Sequence, residues 1–247
     1  MITLYDLPTT SGGPASSPFV VRIRFALRIK NLPFTTRFVE YDEIAAAAKE
    51  IGAPPTGVHQ DGSPKYTVPM IYDSETKTAV ADSLLIAKYL DRTYPNFGPI
   101  LAPDDTEILQ NLFSSEISLS ILVPLIPLIR VGIFHKISPS MQKQYLKVGS
   151  PFDPDEKFDQ KEMAEKWAQV EATLRKMDGV MGSKDTLGKA KEPIFADTAL
   201  AASLLLIKFV VGADSPEWKA LMLWHNGRWG KYLDWLENYG TSAVEMS

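Results

Sequence analysis

The sequence predicts a small α/β domain followed by a larger all-helical domain, in a chain of 247 residues. Two observations predict this class. Strand-like and helix-like segments alternate at the start of the chain, which is typical of a sheet with helices on its faces. From Thr106 onward the segments are almost all helical, after a stretch at 94–105 in which three prolines and a glycine break the pattern, as a linker does. We therefore expect an α/β domain at residues 1–94, a linker at 95–105 and a helical domain at 106–247.

The α/β domain alternates between segments with strand-like and segments with helical residue patterns. In "PFVVRIRFALRIK" Pro18 stands in the first helical turn, where a missing N–H costs nothing, and Val21, Phe25 and Ile29 recur at helical spacing. The helix former "EIAAAAKEIG" ends at Gly52, a typical helix terminator. In chain order the predicted segments are strand 2–7, helix 18–30, strand 33–42, helix 43–52, strand 70–72, strand 78–81 and helix 83–95.

The second region shows apolar stripes with helical spacing. In the segment 156–178 five apolar residues form one seam, and such a stripe is typical of a core-facing helix. Further helices are predicted in 197–212, 215–227 and 228–240. The seam consists of Met163, Trp167, Val170, Leu174 and Met177.

One stretch, "ISLSILVPLIPLIRVGIF" at 117–134, is apolar enough to resemble a membrane span. It contains Pro124, Pro127 and Arg130, and it is short of the 20 or so predominantly apolar residues that a spanning helix needs. We therefore expect a buried helix kinked by its prolines and no membrane span.

Composition excludes several classes of function. A net charge of −4 and a pI near 5.5 argue against a nucleic-acid partner, which needs a basic face. The absence of cysteine rules out disulfides, a protein thiolate and cysteine metal ligands. No two of the three histidines have metal-ligand spacing, so we expect no metal. The start "MITLYDLP" does not resemble a signal peptide, so a soluble cytoplasmic protein is expected.

The stretch "YTVPMIYD" at 66–73 places Pro69 beside residues that suit a sheet. Proline cannot donate to a ladder, so it must lie at an edge, at a bulge or before the first strand residue. A cis Val68–Pro69 bond would turn the chain and leave the backbone groups of Val68 free for an extended ligand. An ordinary trans proline entering the strand is the alternative.

Asp82 and Ser83 stand at the start of a predicted helix. The N-terminus of a helix offers free N–H groups and a positive dipole end to a carboxylate, and an adjacent acidic side chain can meet an ammonium group. The pair would suit a ligand that carries both charges on one carbon. The alternative is an ordinary helix cap, since Asp and Ser are preferred capping residues.

This order of elements, with "TVP" before the third main strand and "ADSLLIAKYL" after the fourth, resembles the glutathione transferase superfamily over essentially the whole chain. The resemblance implies a thioredoxin-like N-terminal domain, an all-α C-terminal domain and glutathione as co-substrate. It implies that Val68 pairs with the cysteinyl part of glutathione before a cis Pro69, and that Asp82 and Ser83 bind the γ-glutamyl group. Lys65, before "TVP", is implied at the glycyl carboxylate.

The resemblance also places the chemistry at the start of the first helix, where omega-related members carry Cys-Pro-Phe or Ser-Pro-Phe. "SSPF" puts Ser17 at that position, where its hydroxyl and the helix dipole would lower the pKa of the glutathione thiol. The alternative is that Ser17 only caps the helix. Ser16 and Ser11 are nearby competitors, whereas Tyr5 sits inside the strand, where it does not suit a tyrosine-type mechanism.

The start "TLYDL", the loop before "SPFVVRIRFAL" and the long segment before "VPMI" look like the fungal-specific class A transferases, which resemble bacterial β-etherases. This implies a serine-type, β-etherase-like enzyme with a detoxification role, which attacks aromatic or aryl-ether electrophiles, binds phenolic compounds and forms a homodimer. The rival interpretation is a non-catalytic ligandin that stores or carries phenolic or apolar molecules. Candidate residues for the apolar co-substrate pocket are Phe19, Phe113, Ile117 and Ile121.

One position departs from the family's pattern. The buried helix of the helical domain usually opens with Ser or Thr followed three residues later by Asp, as a capping box. Here Asp197 is kept but Ile194 occupies the cap position, so we expect the reciprocal hydroxyl bond to be missing.

Overall fold

The computed structural model describes residues 1–10, 17–147, 152–189, 191–239 and 245–246. Its strands are β1 Ile2–Asp6, β2 Phe34–Phe38, β3 Gly57–Val58, β4 Pro64–Lys65, β5 Met70–Asp73, β6 Thr78–Ala81 and β7 Glu245–Met246. Its helices are α1 Pro18–Ile29, α2 Ile44–Ile51, α3 Ser83–Thr93, α4 Glu107–Leu122, α5 Ile126–Phe134, α6 Pro139–Lys147, α7 Gln160–Met181, α8 Phe195–Val211 and α9 Pro216–Asn238.

The fold confirms the predicted thioredoxin-like α/β part followed by a helical part. The main sheet has the order β6-β5-β1-β2-β7, in which β1 and β2 are parallel and β5 runs antiparallel to both β1 and β6. Helix α1 packs between this sheet and α8 of the helical part, so both parts share one buried apolar cluster. The boundaries at residues 94 and 105 stay a prediction.

The C-terminal strand β7 is a feature that the sequence did not predict. Glu245 and Met246 pair in parallel with Phe34 and Thr35 at the outer edge of β2. The Glu245 carboxylate accepts hydrogen bonds from Arg24 and from Thr36. The end of the chain therefore returns to the sheet and covers an edge that would otherwise expose unpaired backbone groups.

The prolines of the apolar stretch act as predicted. A 3-10 turn at Val123–Leu125, which contains Pro124, separates α4 from α5, and Pro127 lies in the first turn of α5. The expectation of burial is wrong for much of this stretch, because side chains such as Leu119 and Ile126 are 55% and 42% exposed. The helices of this stretch carry apolar side chains on two faces, and one of these faces is exposed to solvent.

The helical stretch Glu107–Phe134 is long and apolar enough to pass a length-and-composition test for a membrane span. The core helices of soluble proteins pass the same test, so this finding is weak evidence for a span. The 3-10 turn in its middle further distinguishes it from a regular spanning helix.

At the start of α8 the Asp197 half of a capping box is present and the hydroxyl half is missing, as expected. Asp197 accepts a hydrogen bond of 2.9 Å from the backbone N–H of Ile194, whose apolar side chain cannot return one. Asp197 instead accepts from the hydroxyls of Thr186 at 3.0 Å and Tyr232 at 2.8 Å. Desolvation raises the pKa of this buried carboxyl, although its several hydrogen bonds oppose the effect. The Asp197 N–H, which a cap hydroxyl would have accepted, donates to the carbonyl of Ile194 at 3.0 Å.

Candidate active site

The register of the sheet brings the predicted site segments to one end. Tyr5 of β1 pairs with Met70 of β5, and Met70 pairs in turn with Ala81 of β6. The segment after β1, the residues before Met70 and the residues after Ala81 therefore leave the sheet at the same edge. This edge carries Val68–Pro69 and Asp82–Ser83, and the chain that follows β1 leads to α1.

The Val68–Pro69 peptide bond is cis, as predicted. Pro69 lies immediately before β5, so it takes no place in the ladder. The backbone groups of Val68 make no hydrogen bond to a described residue, and its side chain is partly buried against the core. Val68 therefore presents a free N–H and C=O at the sheet edge, which is what pairing with an extended peptide-like ligand requires.

Asp82 caps α3 and also holds an unusual backbone conformation. Its carboxylate Oδ1 accepts hydrogen bonds from the N–H groups of Leu84 at 2.9 Å and Leu85 at 3.1 Å. Its φ of 81° lies in the left-handed region, which is strained for a residue with a side chain. The capping alternative is therefore realised, but Asp82 is exposed and its second carboxylate oxygen makes no hydrogen bond to a described residue, so a ligand can reach it.

Ser83 is the first residue of α3 and is 8% exposed. Its hydroxyl makes no hydrogen bond to another described residue, although buried hydroxyls generally find partners. Its N–H is one of the helix-start donors that have no partner within the helix. Ser83 therefore offers two donors beside the Asp82 carboxylate.

Ser17 occupies the N-cap position of α1, with an extended backbone at φ −77° and ψ 114°. Its side chain makes no capping hydrogen bond; the first turn is closed by its carbonyl, which accepts from Val20 and Val21 at 3.1 Å. Pro18 removes one N–H from the first turn and leaves that of Phe19 without a helical acceptor. The half-buried hydroxyl of Ser17 thus stands unused at the positive end of the helix.

Arg22 is a buried charge that the sequence interpretation missed. It is 6% exposed, donates a hydrogen bond of 2.8 Å to Ser118 Oγ of α4, and lies 4.7 Å from the ring centre of Phe19. Burial lowers its pKa to about 10, while the negative charge of Asp82 acts in the opposite direction. An arginine set among the apolar residues of "FVVRIRFAL" was the available signal.

The predicted apolar pocket residues occupy different environments. Phe19 is 50% exposed and Phe113 is partly buried, whereas Ile117 and Ile121 are 6% and 0% exposed and belong to the core. Phe19 and Phe113 are therefore the members that a ligand could touch directly. Ile117 and Ile121 have almost no exposed surface for a ligand to touch.

The remaining predicted residues are peripheral or outside the described ranges. Lys65 is exposed in the short β4 strand, which pairs with β3. Ser11 and Ser16 lie outside the described residues. Tyr5 is buried inside β1, as its predicted strand position requires.

Two family models match the chain. The glutathione S-transferase N-terminal domain matches residues 16–93, and the glutathione S-transferase C-terminal domain matches residues 108–239. The N-terminal match includes Ser17, the Val68–Pro69 bond and the start of α3. The C-terminal match includes α4 apart from its first residue, and all of α5 to α9.

Solved structures from fungi are similar over almost the whole chain. A glutathione S-transferase of Ceriporiopsis subvermispora, crystallised in complex with glutathione, is 30% identical; the match covers 100% of this chain and 99% of that one, with a TM-score of 0.87. Glutathione transferase GSTFuA2 from Phanerochaete chrysosporium is 32% identical, with 97% and 98% of the chains covered and a TM-score of 0.82.

A curated relative matches part of the chain. The glutathione S-transferase-like protein ustS of Aspergillus flavus is 40% identical over 95 residues, which are 36% of this chain and 33% of that protein. The match thus spans a third of the relative's length. Together with the two domain models, these similarities establish that the chain belongs to the glutathione S-transferase family.

Proposed function

We propose that the protein is a serine-type glutathione transferase, in which Ser17 donates a hydrogen bond to the glutathione thiolate. The observation that carries the proposal is the hydroxyl of Ser17, which stands at the N-terminus of α1 without a capping bond. A hydroxyl donor and a helix dipole at one point both favour the thiolate over the thiol. The lowered thiol pKa increases the fraction of nucleophile at cellular pH.

In this proposal glutathione lies along the sheet edge. Its cysteinyl backbone pairs with Val68, and its γ-glutamyl group meets the Asp82 carboxylate and the donors of Ser83. Lys65 would meet the glycyl carboxylate from β4. The backbone of Val68 and the hydroxyl of Ser83, which have no partner among the described residues, support this orientation, and the glutathione complex of the similar Ceriporiopsis protein supports glutathione as the ligand.

The second substrate in this proposal is an apolar aromatic or aryl-ether electrophile. The thiolate attacks the electrophilic carbon, a carbon–sulfur bond forms, and the leaving group departs with the electron pair of the broken bond. Phe19 and Phe113 would contact the aromatic ring, backed by Ile117 and Ile121. We place the protein near the fungal-specific class A, with phenolic compounds as additional ligands and β-etherase-like cleavage of aryl ethers; its 32% identity to GSTFuA2 supports a fungal relationship.

The alternative is a ligandin, which binds phenolic or apolar molecules without turning them over. The half-exposed ring of Phe19 lies against Arg22, close to Ser17 in the chain. Stacking on this ring would retain a flat ligand whether or not the ligand reacts, so the ring is compatible with both the enzyme and the ligandin. In either case we place the protein in the cytoplasm as a homodimer. An exposed apolar face on α4, formed by Ile108, Leu109 and Leu112, would suit a second copy.

One experiment separates the enzyme from the carrier. The purified protein is assayed with glutathione against a small aromatic halide and a model aryl ether, and phenolic ligands are titrated in parallel by thermal shift. Turnover that phenolics inhibit by competing with the electrophile supports the enzyme. Phenolic binding without turnover of either electrophile supports the ligandin and overturns the enzyme.

A further inference from the structure

A cavity of about 480 Å³ lies between α1 and the C-terminal half of α8. Its α1 wall is made of Pro18, Val21, Arg24 and Arg28, which recur at helical spacing and share one face. Arg22 donates to Ser118, and the ring of Phe19 lies against Arg22. These two residues lie on a different face of the same helix. We call this space the α1–α8 cavity, and its size falls within the range of small-molecule sites, about 300–1,000 Å³.

The α1–α8 cavity combines an apolar floor with cations. Val21, Leu205 and Phe209 contribute apolar side chains from α1 and α8, and most of the exposed lining is apolar. Among the described lining residues four are cationic, and Glu237 is the one acid. The four cations are Arg24, Arg28, Lys136 and Lys208.

The two arginines already have carboxylate neighbours. Arg24 forms ion pairs with Asp6 and Glu245, and the charge of Arg28 helps to lower the pKa of Glu245. The positive charge on the arginine side of the cavity is therefore largely compensated by these carboxylates.

The two lysines differ from the arginines. Lys136 donates to the backbone carbonyls of Phe209 and Val210, and Lys208 lies over the ring of Trp218 at 5.7 Å. Neither forms an ion pair with a described carboxylate. Burial alone lowers the pKa of Lys136, so no acid among the described residues offsets its desolvation.

We propose that the α1–α8 cavity binds a small amphipathic anion, with an aromatic or aliphatic body on Val21, Leu205 and Phe209 and one carboxylate or sulfonate at Lys136 and Lys208. Apolar burial supplies the affinity, and the two ammonium groups select an anionic head over a neutral one. A dianion or a nucleotide fits less well, because the floor is apolar and the two lysines are half-buried rather than gathered in a polar cradle.

This site is separate from the proposed glutathione site but shares α1 with it. Pro18 lines the cavity and directly follows Ser17 in the chain. The two sites therefore adjoin at the first turn of one helix. The proposal concerns binding alone and does not depend on transferase activity.

The test compares 1-anilinonaphthalene-8-sulfonate with N-phenyl-1-naphthylamine, which has the same aromatic body without the charge. Fluorescence titrations use the wild-type chain and the Lys136→Gln/Lys208→Gln double variant. We expect the double variant to bind the sulfonate about tenfold more weakly, as expected for lost charge-assisted contacts, and to bind the neutral probe unchanged. The control Lys161→Gln/Lys176→Gln removes two exposed lysines of α7 and should match wild type.

Three outcomes would overturn the proposal. The first is equal binding of both probes by wild type. The second is wild-type sulfonate affinity in the double variant. The third is a loss of sulfonate affinity in Phe19→Ala rather than in the double variant. Circular dichroism and thermal unfolding check that the variants fold. If the Lys136 exchange disturbs folding, Lys208→Gln alone decides, because among the described residues the ammonium group of Lys208 has only the Trp218 ring as a partner; wild-type sulfonate affinity in that variant contradicts the site.

Discussion

The guanidinium of Arg22 donates a hydrogen bond of 2.8 Å to Ser118 Oγ, which ties the second turn of α1 to the middle of α4. Ser118 in turn donates to the carbonyl of Ser114 at 2.7 Å. The Phe19 ring lies against the same guanidinium, so the position of α1 beside the proposed co-substrate site depends on this contact.

Ser118→Ala should therefore destabilise the fold. The substitution removes the acceptor of a buried, charged donor, which typically costs about 1–3 kcal/mol. Urea unfolding measures the difference. The control Ser115→Ala changes an exposed serine on the same helix and should stay within about 0.5 kcal/mol of wild type. Equal stabilities of the two variants would show that the Arg22 contact contributes nothing.

Asp82→Asn separates capping from ligand binding. Asparagine keeps the oxygen that accepts from Leu84 and Leu85, and it tolerates a positive φ, so stability should be retained. It removes the charge that we assign to the glutathione ammonium group. Glutathione affinity should fall by roughly tenfold, because a charge-assisted contact is worth about 1.5–3 kcal/mol. Wild-type affinity in calorimetry would reduce Asp82 to a helix cap.

Ser83→Ala tests the hydroxyl that has no partner among the described residues. Because no bond is lost within the protein, the free energy of unfolding should not fall by more than about 0.5 kcal/mol. The Michaelis constant for glutathione should rise several-fold while the turnover number stays close to wild type. A stability loss without any change in the Michaelis constant would assign Ser83 a structural role.

Glu245 should make the attachment of β7 depend on pH. Burial alone would raise its pKa, but hydrogen bonds from Arg24 and Thr36 prevail and lower it below the usual 4.5. Its stabilising effect is therefore present above pH 4.5 and is lost as the pH falls through the lowered pKa. Glu245→Gln should be less stable than wild type by about 1 kcal/mol at neutral pH. Denaturant unfolding at a series of pH values should show this gap closing in acid; a constant gap would contradict the assignment.

The sequence predicted the fold and much of the proposed site because local signals coincide there. Pro18 sets the start of α1, so Ser17 falls at its N-cap, and Pro69 interrupts a β-type run immediately before β5. Each of these features depends on a few neighbouring residues. Backbone chemistry alone is enough to place them.

The features that the sequence left unpredicted depend on contacts between distant segments. Glu245 and Met246 carry no strand pattern, and their pairing depends on Arg24 and Thr36, which lie more than 200 residues away. Helical spacing likewise could not tell which face of α4 points inward. Ile117 was therefore assigned to a pocket although it is buried in the core.

The thiol pKa of glutathione bound to wild type and to Ser17→Ala tests the central claim most directly. The ultraviolet absorbance of the thiolate is titrated against pH in both proteins, at saturating glutathione. We expect a raised thiol pKa in Ser17→Ala and a conjugation rate lower by about tenfold or more, since the lost bond is worth about 1.5–3 kcal/mol, with affinity for glutathione within a few-fold of wild type. An unchanged thiol pKa and rate in Ser17→Ala, with both altered in Ser16→Ala or Ser11→Ala, would contradict it.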